Sequence, residues 1–193
     1  MADFLIFVRH TQTPDNAGLI FSGHRPVGLT PLGEQQAKAV ATSLRGMAGV
    51  AGIVSSDLNR ARLLANLLGR ATGIRPAFDP RLREIDLGSM TGTSMQPVER
   101  RFQRPEYDIF RNRAFDLRRL GGESAAQVIT RLELSLRAVA TRYFRGKSRG
   151  DRKVIVVGHA TAFEMLLRDR YGVIEHLHAQ GSYDTVRWPM HRR

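Results

Sequence analysis

Two short apolar runs, Phe4 to Val8 and Val154 to Val157, each lead within two residues to a histidine, His10 after Arg9 and His159 after Gly158. Runs of four or five β-forming residues read as buried strands of a parallel sheet, and in open α/β sheets ligands bind at the carboxyl ends of the strands. The pattern therefore predicts an α/β fold in which His10 and His159, about 150 residues apart in sequence, share one site.

A single strand-end histidine is commonly only a hydrogen-bonding residue. The neighbouring Arg9 adds chemistry to the first one. A neutral imidazole can attack phosphorus and carry it as a phosphohistidine, while a guanidinium beside it grips phosphoryl oxygens with two parallel hydrogen bonds. Arg9-His10 is thus suited to capturing an anion and then attacking it.

With 193 residues and 42% hydrophobic side chains, the chain is long enough for one domain with a substantial core, and residues 1–193 read as that single domain. No apolar stretch reaches the roughly 18 residues of a membrane span, and the amino terminus lacks the pattern of a secretory signal, so the expectation is a cytoplasmic protein away from membranes. The absence of cysteine excludes disulfides, thiolate nucleophiles and cysteine metal sites. The net charge of +12 raises nucleic acid as a partner. Its carriers, however, are arginines scattered along the chain, loosely concentrated from Arg100 to Arg119, with lysine only at 38, 147 and 153. Without a basic-aromatic stripe that spread reads as a solvated surface, one that would also steer a phosphorylated substrate inward, and no nucleic-acid partner is expected.

Along the chain strands and helices alternate. Thr30-Pro31 reads as an N-cap and first helical residue opening a helix to about residue 45. Ile53-Val54 reads as a second strand, and Asp57 as the cap of a helix whose apolar positions Leu58, Ala61, Leu64, Ala65 and Leu68 run up to Gly73. Arg60 then lies in the first turn of a helix that follows a strand, where free N–H groups and the helix dipole favour anions. A third strand is expected over residues 74–78. Residues 89–121, with weaker periodicity, read as an insertion over the site. Gly121-Gly122 ends it, a long helix follows from Glu123 to Phe144 with Ser124 suited to cap it, and another covers Ala160 to Tyr171. Trp188 to Arg193 reads as a tail after the last strand.

Arg9-His10-Thr11-Gln12-Thr13, Asn16, Ser55-Ser56-Asp57-Leu58-Asn59-Arg60-Ala61, Leu82-Arg83-Glu84, Gly121-Gly122-Glu123-Ser124 and Val157-Gly158-His159 occur in an order that resembles the histidine phosphatase superfamily, phosphoglycerate mutase-like branch. The resemblance spans about residues 4–165. It implies a three-layer α/β/α sandwich with a mostly parallel central sheet. It also implies His10 as nucleophile, with Arg9, Arg60 and His159 around the phosphoryl group and Glu84 as the acid that protonates the leaving oxygen and the base that then activates water. Asn16, Ser22 and Gly23 match substrate-binding positions, through an amide side chain and backbone groups. The scheme calls for no metal and no cofactor.

The chain departs from the commonest family pattern at Thr11 and Gln12, where glycine and glutamate are usual, at Ala160-Thr161, where glycines are usual, and at Pro26 and Gly28. None of these removes a group that does the chemistry. The implied function is a metal-independent phosphomonoesterase acting through a phosphohistidine on a small phosphorylated metabolite. Phosphoglycerate mutase-type phosphoryl transfer and a catalytically silent phosphate-binding module are the alternatives. The short chain favours the phosphatase, because a mutase needs more chain to shield its phosphoenzyme from water. The sequence leaves oligomeric state open, a homo-oligomer included, and does not name the substrate.

Overall fold

A computed structural model of the chain describes residues 2–96, 115–146, 150–172, 177 and 179–189. Strand β1 (Asp3–Arg9) is followed by a one-turn helix α1 (Pro14–Ala17), helix α2 (Pro31–Arg45), strand β2 (Val50–Ser55), helix α3 (Asn59–Thr72) and a short strand β3 (Ala77–Phe78). Helix α4 (Ala125–Tyr143), strand β4 (Arg152–Gly158), helix α5 (Ala160–Tyr171) and strand β5 (Tyr183–Trp188) complete the described α-helices and strands, with short 3-10 turns at Pro80–Leu82, Gly88–Met90 and Arg118–Leu120. The sheet order is β3-β2-β4-β1-β5, with every pairing parallel except β1 with β5.

Alternation along the central strands divides the core in two. Leu5, Phe7, Val54, Val154 and Val156 pack with Val128, Leu132 and Leu136 of α4 and Phe163 and Leu166 of α5. Ile6, Val8, Ile53, Ile155 and Val157 pack with Ala37, Val40 and Leu44 of α2 and Ala61, Leu64 and Leu68 of α3. Both faces of the sheet are therefore covered, which is why its inner strands read as continuous apolar runs. This is the three-layer α/β/α arrangement expected from the sequence.

Local signals placed most elements within a residue or two. Thr30 caps α2, its Oγ accepting from Gly33 N at 3.0 Å, and Gly73 ends α3 in the left-handed conformation. Ser124 caps α4 in a reciprocal pair with Gln127. Three readings need correction. Asp57 does not cap α3: the N-cap is Leu58, with no side-chain cap bond, and the Asp57 carboxylate instead takes a forked pair of bonds from Arg83 at 2.7 and 2.5 Å. A charged donor two short bonds away outcompetes a neutral N–H. The third strand shrinks from 74–78 to Ala77–Phe78, since Pro76 has no N–H to give the ladder. Trp188 closes β5 and packs against the core, so the tail begins after it. Strand β2 is also longer than Ile53-Val54, running from Val50 through Gly52, where a Cβ would collide with the Tyr143 ring.

The stretch 89–121, read as an insertion over the site, is described only at its two ends. Phe21 N donates to Thr93 O and Met95 N to Leu19 O, while Phe115 and Leu117 are buried and Leu117 N donates to Glu123 O. The stretch 97–114, with Arg100 to Arg113, lies outside the described residues. No helix among the described residues is long and apolar enough to cross a membrane.

Candidate active site

The register of β1 with β4 pairs Arg9 with Gly158, so both strands end level and His10 and His159 leave the sheet side by side. His10 N donates to Gly158 O at 2.9 Å, and the two imidazole rings lie 5.2 Å apart. Ser55 at the end of β2 pairs with Val157, which brings Ser56 and the start of α3 to the same edge. The two histidines therefore share a site because of sheet register.

His10 is 5% exposed, and its Nδ1 lies 2.8 Å from the carbonyl of Thr11. A carbonyl only accepts, so the ring proton is assigned to Nδ1 and the lone pair to Nε2. Arg60 Nε donates to that Nε2 at 3.3 Å. Burial, then the charge of Arg60, and less strongly that of Arg9, hold His10 well below the ordinary imidazole value, outweighing the upward effect of the Thr11 carbonyl. His10 is a neutral ring whose lone pair, on Nε2, faces the site and accepts from Arg60.

His159 is fully buried and is held well below the ordinary value by burial, then by Arg60 and His10. Its Nε2 lies 2.8 Å from Ser56 Oγ, which already accepts from Leu58 N at 3.2 Å. The Ser56 hydroxyl has one proton to give, and with that proton directed at Nε2 the imidazole proton lies on Nδ1. Nδ1 is buried and has no partner among the described residues. A buried donor without an acceptor is costly, and an anionic oxygen would satisfy it.

Arg60 is 1% exposed and is among the largest fully buried side chains. Nη1 donates to Arg25 O at 3.3 Å and Nη2 to Gly23 O at 2.8 Å, so with the bond to His10 three of its five N–H groups are used. Gly23 can approach this way because its φ is +46° and a Cβ would press on Thr91 Oγ at 2.8 Å. Arg9 donates from Nη1 to Leu177 O at 3.4 Å and lies within electrostatic range of Glu84, Glu164 and Arg60. Burial lowers the pKa of both guanidiniums, while nearby Glu84 favours their charged forms. Two cations and two neutral imidazoles thus converge in a largely dry space, an environment that favours an anion.

Glu84 reaches the same place from the loop after β3. Its Oε1 accepts from Ala162 N at 2.8 Å and from Ile85 N at 2.9 Å, and Oε2 accepts from Thr161 N at 3.3 Å. It therefore satisfies the first turn of α5, directly after His159, which itself gives the helix no side-chain cap. Glu84 does not pair with Arg83, whose partner is Asp57.

The remaining sequence candidates are arranged less directly. Asn16 Oδ1 accepts from Thr13 N and Thr13 Oγ as half of the capping box of α1, leaving its amide NH2 without an internal partner among the described residues. Ser22 Oγ donates to Asp15 Oδ2 at 2.9 Å, so any anion contact from residues 22–23 falls to the backbone. Asp15, 3% exposed, also pairs with Arg25 at 3.4 Å. Sequence reading missed this pair, together with Ser56 behind His159 and His24, whose Nε2 donates to Glu84 O at 2.7 Å. Ser56 stood within a recognised motif, but nothing in its spacing points to a histidine 103 residues away. No group of His, Cys, Asp and Glu among the described residues is arranged to hold a metal ion.

Residues 5–184 match the histidine phosphatase superfamily (branch 1), and the chain belongs to that superfamily. A probable phosphoglycerate mutase GpmB from Yersinia enterocolitica is 30% identical over 176 residues, covering 89% of this chain and 76% of its own. The structure of a mycobacterial glucosyl-3-phosphoglycerate phosphatase in complex with VO3 superimposes with a TM-score of 0.76 at 28% identity, covering 94% of this chain and 90% of its own. A putative alpha-ribazole-5'-P phosphatase from Escherichia coli shares the fold, with a TM-score of 0.75 at 21% identity, over 97% and 91% of the two chains.

Proposed function

We propose that the protein is a phosphomonoesterase that works through a phosphohistidine at His10 on a small phosphorylated metabolite. The observation that carries this reading is the neutral His10 Nε2, held by the Thr11 carbonyl on one side and faced by Arg60 on the other, beside the unsatisfied Nδ1 of His159.

Nε2 attacks phosphorus as the bond from phosphorus to the ester oxygen breaks, and the carboxyl of Glu84 gives that oxygen its proton. Arg9, Arg60 and His159 Nδ1 balance the charge on the equatorial oxygens, where phosphoryl transfer gains most of its catalysis. Glu84 then takes a proton from water as the water oxygen attacks the phosphohistidine, the nitrogen to phosphorus bond breaks, and inorganic phosphate leaves. The sum is ester plus water giving alcohol plus phosphate, with His10 and Glu84 restored. The amide of Asn16 and the backbone of Ser22 and Gly23 are placed to bind the ester, and no metal enters the scheme.

A second reading, phosphoryl transfer of the mutase kind, is favoured by the name of the Yersinia relative. The phosphatase reading is supported by the mycobacterial neighbour. Both are tested by following a panel of phosphomonoesters with EDTA present, comparing the wild type with His10→Ala. The expected result is inorganic phosphate released by the wild type and lost in the variant. An isomerised ester in place of phosphate would establish the mutase, and release that survives the substitution would overturn the assignment of His10.

A further inference from the structure

The mechanism uses Glu84, yet the loop that carries it, residues 83–86, follows a single 3-10 turn (Pro80–Leu82) and has no ladder or helix of its own to hold it. Arg131, on α4, uses all five of its N–H donors here, three on the backbone of residues 81–84 and two on Glu123. Nη1 donates to the carbonyls of Arg81 at 2.9 Å and Arg83 at 2.6 Å, and Nη2 donates to the carbonyl of Glu84 at 2.9 Å. The other Nη2 proton and Nε form a fork onto Glu123, both at 2.8 Å. Glu123 closes the circuit, since its Oε2 accepts from Asp86 N at 2.9 Å and its own N donates to Asp86 O at 2.9 Å. The pair therefore grips the backbone on both sides of residue 84.

The charge state suits the task. Burial works to raise the Glu123 carboxyl, but the hydrogen bonds and charge of Arg131, with the Asp86 N–H, hold it below its ordinary value, so the fork is ionic at neutral pH. Only arginine can satisfy three carbonyls and a forked carboxylate at once; a lysine has three donors and no plane.

We propose that Arg131, locked by Glu123, is a positioning residue for the reaction: it fixes the main chain of Glu84 so that the carboxyl meets the leaving oxygen of the ester. This rests on the reading of Glu84 as acid given above. Its backbone end is set by Arg131 and its carboxylate end by the first turn of α5, so the residue is located at both ends before substrate arrives. A misplacement of about 1 Å in such a group costs about 100-fold in rate.

The test compares Arg131→Gln, Glu84→Gln and the double variant on two esters. One is an alkyl phosphate, whose leaving oxygen needs a proton; the other is 2,4-dinitrophenyl phosphate, whose leaving group does not. The rate of phosphoenzyme formation in the first turnover is measured, which isolates the acid step from the later attack of water. Arg131→Gln is expected to slow the alkyl ester by about 10- to 100-fold, and the dinitrophenyl ester by less than about 3-fold, with KM little changed. Arg131→Lys, which keeps the charge and part of the carbonyl binding, is expected to recover part of the loss. In the Glu84→Gln background, Arg131→Gln should add little, because residues acting as a unit are not additive.

Equal loss on both esters, or full additivity, would make Arg131 a general structural residue and overturn the proposal. If Glu84→Gln itself shows no difference between the esters, the acid reading falls, and the proposal with it. If Glu84→Gln shows the difference and Arg131→Gln does not, the positioning role alone is overturned. Should Arg131→Gln fail to fold, Glu123→Gln removes the ionic fork while keeping shape and carries the same test.

Discussion

The two halves of the candidate site are held in different ways. The half proposed to hold the phosphoryl group, His10, Arg60 and His159, sits at the end of β1, on the first turn of α3 and at the head of α5, and is placed by strand register and nearly complete burial. The half proposed to meet the leaving group, Glu84, sits on a loop outside any strand or helix and is placed by side chains: Arg131 and Glu123 on one flank, and Arg83 with Asp57 on the other. One half belongs to the sheet and resists small changes. The other depends on a few polar ties that single substitutions can undo.

Variants at each end should separate the two. His10→Ala is expected to reduce phosphate release by about 10^5-fold for every ester, as loss of a nucleophile does. Glu84→Gln should cost about 10^3-fold in first-turnover rate with alkyl esters and far less with activated ones. A loss from Glu84→Gln that ignores the leaving group would erase the distinction between the ends. His159→Ala, which removes one donor to the phosphoryl oxygens, should cost about 100-fold in kcat/KM for all esters.

Stability should divide along the same line. The buried neutral forms of His10 and His159 have pKa values well below the unfolded value of 6.5, so below about pH 6.5 the unfolded chain binds protons that the folded chain refuses. Each ring then contributes a loss of about 1.4 kcal/mol for every pH unit of fall, until its folded pKa is reached. Urea midpoints measured between pH 7 and pH 5 should show this slope, and His10→Asn with His159→Asn should flatten it. The smallest effect belongs to the loop: Asp57→Ala removes an ion pair with a partly exposed Arg83, and should cost less than about 1 kcal/mol in the same urea titration.

The phosphate end was the more legible in sequence for the same physical reason that it is rigid. Strands buried on both faces announce themselves as apolar runs, and Thr30-Pro31 and Gly73 mark helix ends, so His10, Arg60 and His159 could be placed by counting. An α/β fold with a parallel sheet followed from the same runs, and the three-layer sandwich from the family resemblance. Glu84 was found only through resemblance, since a loop glutamate beside an arginine has no period. Arg131 was invisible, because along α4 it reads as one more polar residue on an amphipathic helix. Asp57 misled for a related reason: its position before a helix suggests a cap, while its true partner, Arg83, is 26 residues away. Local spacing reports what a backbone wants and is silent about which side chains will meet across the fold.

The level ending of β1 and β4 has a consequence for how this chain would recover from denaturation. A slip of one residue between these strands would move one histidine along the sheet by about 3.3 Å and turn its side chain to the opposite face. A collapsed form with near-native helices but unsettled strand pairing would therefore have no working pair. Regain of phosphate release after dilution from urea should trace the final locking of the central strands, and lag any signal that reports helix content alone.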